Sequence, residues 1–160
     1  MAVILSDAEV ARLLTVPKSM PPNYSGRLKL SPKAGHEERA LDLPEPDTGV
    51  FRIILRKCLL NQLDFSVILG FIPPGESQPI LLRRYNGRSH QHTNKLEREA
   101  TFYDFHIHTA TERYQVHPAF KAEHYAEVTD RYVDFQGAFR CLSQDCGLVF
   151  PPGQANLFEG

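Results

Sequence analysis

No tryptophan occurs among the 160 residues, and no run is long and apolar enough to span a bilayer. The longest apolar stretch, Leu63 to Ile72, is broken by Asp64 and closed by Pro73-Pro74. Cysteine is scarce too. Cys58, Cys141 and Cys146 make an odd number, and Cys141-x4-Cys146 lacks both zinc-knuckle spacing and a second pair. A disulfide scaffold and a structural zinc site are therefore not expected, and all three cysteines are read as reduced. Charge of one sign is lacking as well: the formal net charge is −1, which excludes a wholesale basic coat and leaves only a local patch for any nucleic-acid role. The start, Met1 to Asp7, has too short an apolar run and no basic lead for a secretory signal. These absences predict a cytoplasmic, bacterial-type domain with no membrane partner.

What is present is ordinary for a globular chain, at 42% hydrophobic and 23% charged, and residues 1–160 are expected to form a single domain. Ser6 and Glu9 have capping-box spacing ahead of Val10, Leu13 and Leu14, which predicts a helix over 7–16. Residues 17–35 are rich in proline and glycine and predict irregular structure with one short strand near Leu28–Leu30. Glu38 to Leu43 alternates as an edge strand would, with Pro44 and Pro46 to stop it. Val50–Cys58, Asp64–Ile72 and Pro79–Asn86 are β-rich runs separated by turn residues, and Thr101–His108 adds a fourth. The region 50–108 is thus expected to be an antiparallel meander. After Pro118 the period changes: Thr129 can cap a helix over 129–146 in which Tyr132, Phe135, Ala138, Phe139 and Leu142 recur, with Gly147 as terminator. The tail, 151–160, is expected to be loose. The fold class is α+β: a β-meander of four to five strands with an N-terminal and a C-terminal helix.

The strongest chemical signal is histidine. His90-Gln91-His92 and His106-Ile107-His108 place four of seven histidines within nineteen positions. Along Thr101–His108 the odd positions form a core-facing set, so Asp104, His106 and His108 share the other face. If His92 lies opposite Phe102, then His90 opposes Asp104, Arg88 opposes His106 and Asn86 opposes His108, and every polar group faces one way. A slip of one residue would bury His90 and His92 among aromatics, which disfavours it.

This set suits two chemistries. One is metal-free acid–base cleavage of an RNA phosphodiester by His106 and His108 with His90 or His92, Asp104 fixing a tautomer and Arg88 clamping the phosphate. No cofactor is needed. The other is a divalent transition metal such as zinc, held by His90, His92, His106, His108 or Asp104. From Pro79 to Arg98 five cations face one acid, and Arg84, Arg88, Asn86 and Tyr85, with Asn94 and Tyr103 nearby, could bind phosphate or stack on bases. A non-catalytic nucleic-acid or protein-binding module accounts for the same residues. Glu112, Arg113 or Tyr114 either reach the cleft or stay on the surface. Ser89 is not expected to pair with His90, because neighbours on a strand face opposite ways. His36, His117 and His124 are read as structural or exposed, and the spacing departs from that of two-histidine phosphoesterases.

Arg84-Tyr85-Asn86-Gly87-Arg88-Ser89-His90-Gln91-His92, followed by Phe105-His106-Ile107-His108, resembles TumE-like toxins of bacterial toxin–antitoxin pairs. Those are small α+β proteins with an Arg–aromatic–polar strand, clustered histidines and a further His-x-His. The resemblance covers about residues 50–110 and departs in the spacing between clusters, the absence of a His-His doublet and the additional C-terminal helix. It implies an RNA-acting toxin using Arg84, His90, His92, His106 and His108, with a cognate antitoxin as partner.

Overall fold

The computed structural model describes residues 3–152. The element order is α1 (Asp7–Thr15), β1 (Lys18–Ser19), α2 (Tyr24–Arg27), β2 (Ser31–Lys33), β3 (His36–Glu45), β4 (Gly49–Cys58), β5 (Phe65–Ile72), β6 (Ile80–Asn86), β7 (His106–Thr109), α3 (Glu112–Gln115), β8 (Ala126–Val128), α4 (Phe135–Asp145) and β9 (Leu148–Val149). Strands β2 to β8 form one antiparallel sheet in sequence order, while β1 and β9 pair in parallel apart from it. The architecture is α+β, with a larger sheet than the four to five strands expected.

The differences have local causes. The capping box of α1 forms as expected, Ser6 Oγ accepting from Glu9 N and Glu9 from Ser6 N, and Val10, Leu13 and Leu14 are buried. The Leu28–Leu30 strand is displaced to β2, which pairs with the start of β3. β3 runs through Pro44, which has no amide hydrogen to lose from a ladder, and only its first three residues have a neighbour on the β2 side. α4 begins six residues after Thr129, because Asp134 rather than Thr129 caps it by accepting from Gly137 N at 2.7 Å. Thr129 Oγ1 instead accepts from Arg131 N. The expected strand over Thr101–His108 shrinks to His106–Thr109, with Phe102 reduced to an isolated bridge with His92. Of the tail, only residues 151 and 152 lie within the described part.

One face of the sheet packs on the helices. Phe51, Ile53, Leu55, Val67, Leu69 and Tyr85 from the strands join Leu13 and Leu14 of α1 and Phe139 and Leu142 of α4 in a single apolar cluster. Full burial of a side chain of this size contributes roughly 1.5–3 kcal/mol. Lys18 is also fully buried, its Nζ donating to Leu14 O, Val16 O and Cys146 O at 2.7–3.0 Å. It thereby ties the carbonyl ends of α1 and α4 together. Burial lowers its pKa to about 8.

The opposite face is covered in part as well. The connection between β6 and β7, residues 87–105, folds back across it as a strap, and residues 111–125 close one side. Gly87 anchors the strap: its amide donates to Phe65 O at 3.0 Å, and a Cβ there would come within 2.0 Å of Leu63 O. Only glycine permits that approach. At the far end Asn94 is buried, receiving Ala126 N on Oδ1 and donating Nδ2 to Ala126 O, so a side chain pairs with the outer edge of β8. Among the described residues no helix is long and apolar enough to cross a membrane.

Candidate active site: a buried histidine cluster under the strap

The ladder registers explain which side chains meet. His106 lies opposite Asn86 and His108 opposite Arg84. The His92–Phe102 pairing expected from the sequence is present, but two residues are lost between it and β7, so Arg88 does not oppose His106 and Asn86 does not oppose His108. An even slip preserves facing. His92, His106, His108, Asn86 and Arg84 therefore share the strap-covered face, where with His90, Ser66 and Ser89 they line a cavity of about 260 Å³.

The rings form a contiguous group. His92 lies 4.8 Å from His108 and 5.7 Å from His106, which in turn lies 4.9 Å from His108. His124 extends it, 4.9 Å from His92, and itself contacts Tyr114 and Phe120. His124 is remote from the other three in sequence; β8 pairing brings its segment beside β7. His106 and His108 are 4% and 8% exposed. Each holds a backbone carbonyl with Nδ1: His106 at 2.7 Å from Asp104 O, His108 at 3.2 Å from His124 O. A carbonyl only accepts, so both rings carry the proton on Nδ1 and present Nε2 as an acceptor. Asn86 Nδ2 stands 3.4 Å from His106 Nε2, and Ser66 Oγ is 2.7 Å from Asn86 Oδ1.

Burial is the largest influence on these rings and favours the neutral form. It lowers the pKa of His92 and His106, and takes that of His108 to about 3, with the neighbouring imidazoles and Arg84 acting in the same sense. Arg84 is itself little exposed and faces Glu123 across 3.1 Å. The contact is close but misaligned, since neither Arg84 Nε nor Glu123 Oε2 completes a hydrogen bond. Burial also lowers the Arg84 pKa, partly offset by Glu123. A buried guanidinium N–H without a partner is costly. Glu123 was missed in the sequence, where its only mark is adjacency to His124.

Several expected members lie elsewhere. Tyr85 faces the helical core, where its hydroxyl donates to Asp145 Oδ2 at 2.6 Å, so it cannot stack on a base. Arg88 is exposed and donates Nε to Tyr103 O, and does not line the cavity. Asp104 offers His106 its carbonyl rather than its carboxylate, because residues 101–105 leave the strand geometry that set its facing. Asn94 spends its hydrogen bonds on Ala126, Glu99 and His92. Arg113 and Tyr114 both meet Glu97, and Tyr114 reaches His124 rather than the cavity. Ser89 Oγ and His90 Nδ1, in contrast, do approach, to 2.8 Å, because that segment is not a strand and alternation does not apply.

A larger concavity, about 1040 Å³, lies against β7 and β8 and is lined by Asp104 and Arg83 but by none of the histidines; its Arg131 and Asp145 neutralise each other at 2.7 Å. The histidines line the smaller cavity. Among the described residues no group of three or more His, Cys, Asp or Glu side chains could hold a metal ion. Comparisons with protein-family models, with curated proteins and with solved structures each found no match for this chain.

Proposed function

We propose that the chain cleaves single-stranded RNA by metal-independent transfer of a phosphodiester to its neighbouring 2′-hydroxyl. The observation that carries this reading is the joint presence, in one cavity, of a neutral His108 with its Nε2 free to accept, the Arg84 guanidinium and the exposed His90. In the reaction His108 Nε2 takes the 2′-hydroxyl proton, the 2′-oxygen attacks phosphorus and the bond to the 5′-oxygen breaks. His90 supplies the proton to that leaving oxygen, with Ser89 Oγ bonded to its Nδ1. Arg84 donates to the non-bridging oxygens, where charge develops. A pKa near 3 makes His108 a weak base in the empty cavity, but an arriving phosphate anion raises it by stabilising the imidazolium.

A divalent transition metal on His92, His106 and His108 is the second reading. It is favoured by the Nδ1 contacts to carbonyls, which metal-bound histidines also make. Against it stand the unsuitable arrangement of the donors and the cation of Arg84 in the same cavity. The RNA reading implies a cytoplasmic setting, in keeping with three free cysteines. A cognate antitoxin partner rests on the TumE-like resemblance alone.

Product chemistry tests the reading. In chelator, an RNA oligonucleotide is expected to yield fragments ending in 2′,3′-cyclic phosphate, while an all-2′-O-methyl copy stays intact. Cleavage of both at equal rates would end it.

A further inference from the structure

The histidine cavity is one end of a longer polar row. Ladder partners run Glu38, Arg56, Ser66, Asn86, His106 across β3, β4, β5, β6 and β7, one residue per strand on one face. At a strand spacing of ~4.8 Å, Arg56 stands roughly 14 Å from His106. A second cavity of about 570 Å³ lies at the Arg56 end, and it shares Asp64, Phe65 and Ser66 as a common wall with the histidine cavity. The two cavities adjoin across these residues.

The far end carries surplus positive charge. Glu38 is met by Lys33 at 2.8 Å, Arg56 at 2.8 Å and His36 at 3.6 Å. Two fixed cations thus share one carboxylate, and Lys33 and Arg56 remain 60% and 47% exposed. Arg56 meets Glu38 through Nε, which leaves the other guanidinium N–H groups to face solvent. Hydrogen bonding to Lys33 and Arg56 holds the Glu38 carboxyl down to about 2, so the cluster keeps its charges through the ordinary pH range. Near these cavities the β4–β5 turn exposes Leu59, Leu60 and Leu63, an apolar surface.

We propose that this row is a binding track for single-stranded RNA, in which Arg56 and Lys33 hold a phosphate flanking the one that reacts among the histidines. The inference rests on the RNA-cleaving reading and adds to it a subsite for the flanking phosphate. A strap-covered cavity of about 260 Å³ admits one unstacked nucleotide rather than a base pair. The neighbouring backbone then leaves along the open side, over Ser66 toward Arg56.

The test is binding and cleavage of a fluorescent six-residue oligouridine in chelator, at several salt concentrations, by the full chain and by Arg56→Gln and Lys33→Gln. Each variant is expected to weaken binding about tenfold at low salt and to flatten the log–log salt slope by roughly 0.7, the loss of one phosphate contact. Thermal melting establishes that the variants fold, and Lys33, with no strand interior to support, remains informative should Arg56→Gln misfold. Unchanged affinity and slope in a wild-type background that binds and cleaves would overturn the track and leave the histidine reading standing. Absence of both binding and cleavage by the wild-type chain would overturn both.

Discussion

His108→Ala is expected to slow cleavage of single-stranded RNA by about a thousandfold, within the range that one general base contributes, while leaving the chain folded. The expectation follows from where the side chain sits. His108 has its Nδ1 committed to His124 O, so the only lone pair it can offer is Nε2, and the ring lines the cavity beside Arg84. His106 cannot simply replace it, because Asn86 Nδ2 already approaches its Nε2. Truncation removes a ring that lines a polar cavity on the sheet face opposite the helical core, so the loss of stability is small beside the loss of rate. Added imidazole is expected to restore part of the activity by occupying the vacated space. Arg84 is a poorer choice for the same purpose: its removal strands the buried Glu123 carboxylate, and unfolding would be confused with loss of function. A His108→Ala protein that cleaves within twofold of wild type would remove the base from the mechanism.

Stability is expected to fall by several kcal/mol as pH drops from neutrality into mild acid. The unfolded chain binds protons on its histidines at the ordinary value of 6.5, whereas the folded chain resists, His108 down to about 3 and His92 and His106 in the same direction. The folded pKa values lie below the unfolded ones, so the unfolded state carries more protons in this window and stability rises with pH. It is complete above 6.5 and is lost as pH falls toward 3. His108 alone accounts for a loss on the order of 4 kcal/mol, a large part of the 5–15 kcal/mol that holds a typical domain. Glu38 adds to the loss only below 4.5, and weakly, since it is partly exposed. Urea midpoints measured from neutral pH down to 4.5 therefore isolate the histidines. His108→Asn is expected to flatten that slope, and a wild-type midpoint independent of pH over this range would contradict buried neutral imidazoles.

Much of this arrangement was legible in the residues and some was not. Alternation along β7 separated His106 and His108 from Phe105 and Ile107, and the separation is observed, because a period of two survives any even slip of register. Alternation fails where the backbone stops being a strand: Asp104 turns its carbonyl rather than its carboxylate to His106, and a bend permits the Ser89–His90 contact. The second covered face was also written in the sequence. Phe65 to Ile72 is apolar on both faces rather than alternating, and Ile68 is buried opposite the core that holds Val67 and Leu69. A strand apolar on both faces signals two covering layers. Read so, the histidine face could not have been a solvated one. What local pattern could not supply is the pairing of β8 with β7, a contact made by a three-residue strand that carries His124 and Glu123 into place.

The most direct test of the central claim is the rate of single-stranded RNA cleavage by purified protein in excess chelator, with the metal content of the same sample determined. The account predicts steady cleavage without stoichiometric metal, lost in His108→Ala. Cleavage that appears only when a divalent transition metal is restored, or no cleavage by the intact chain, would contradict it.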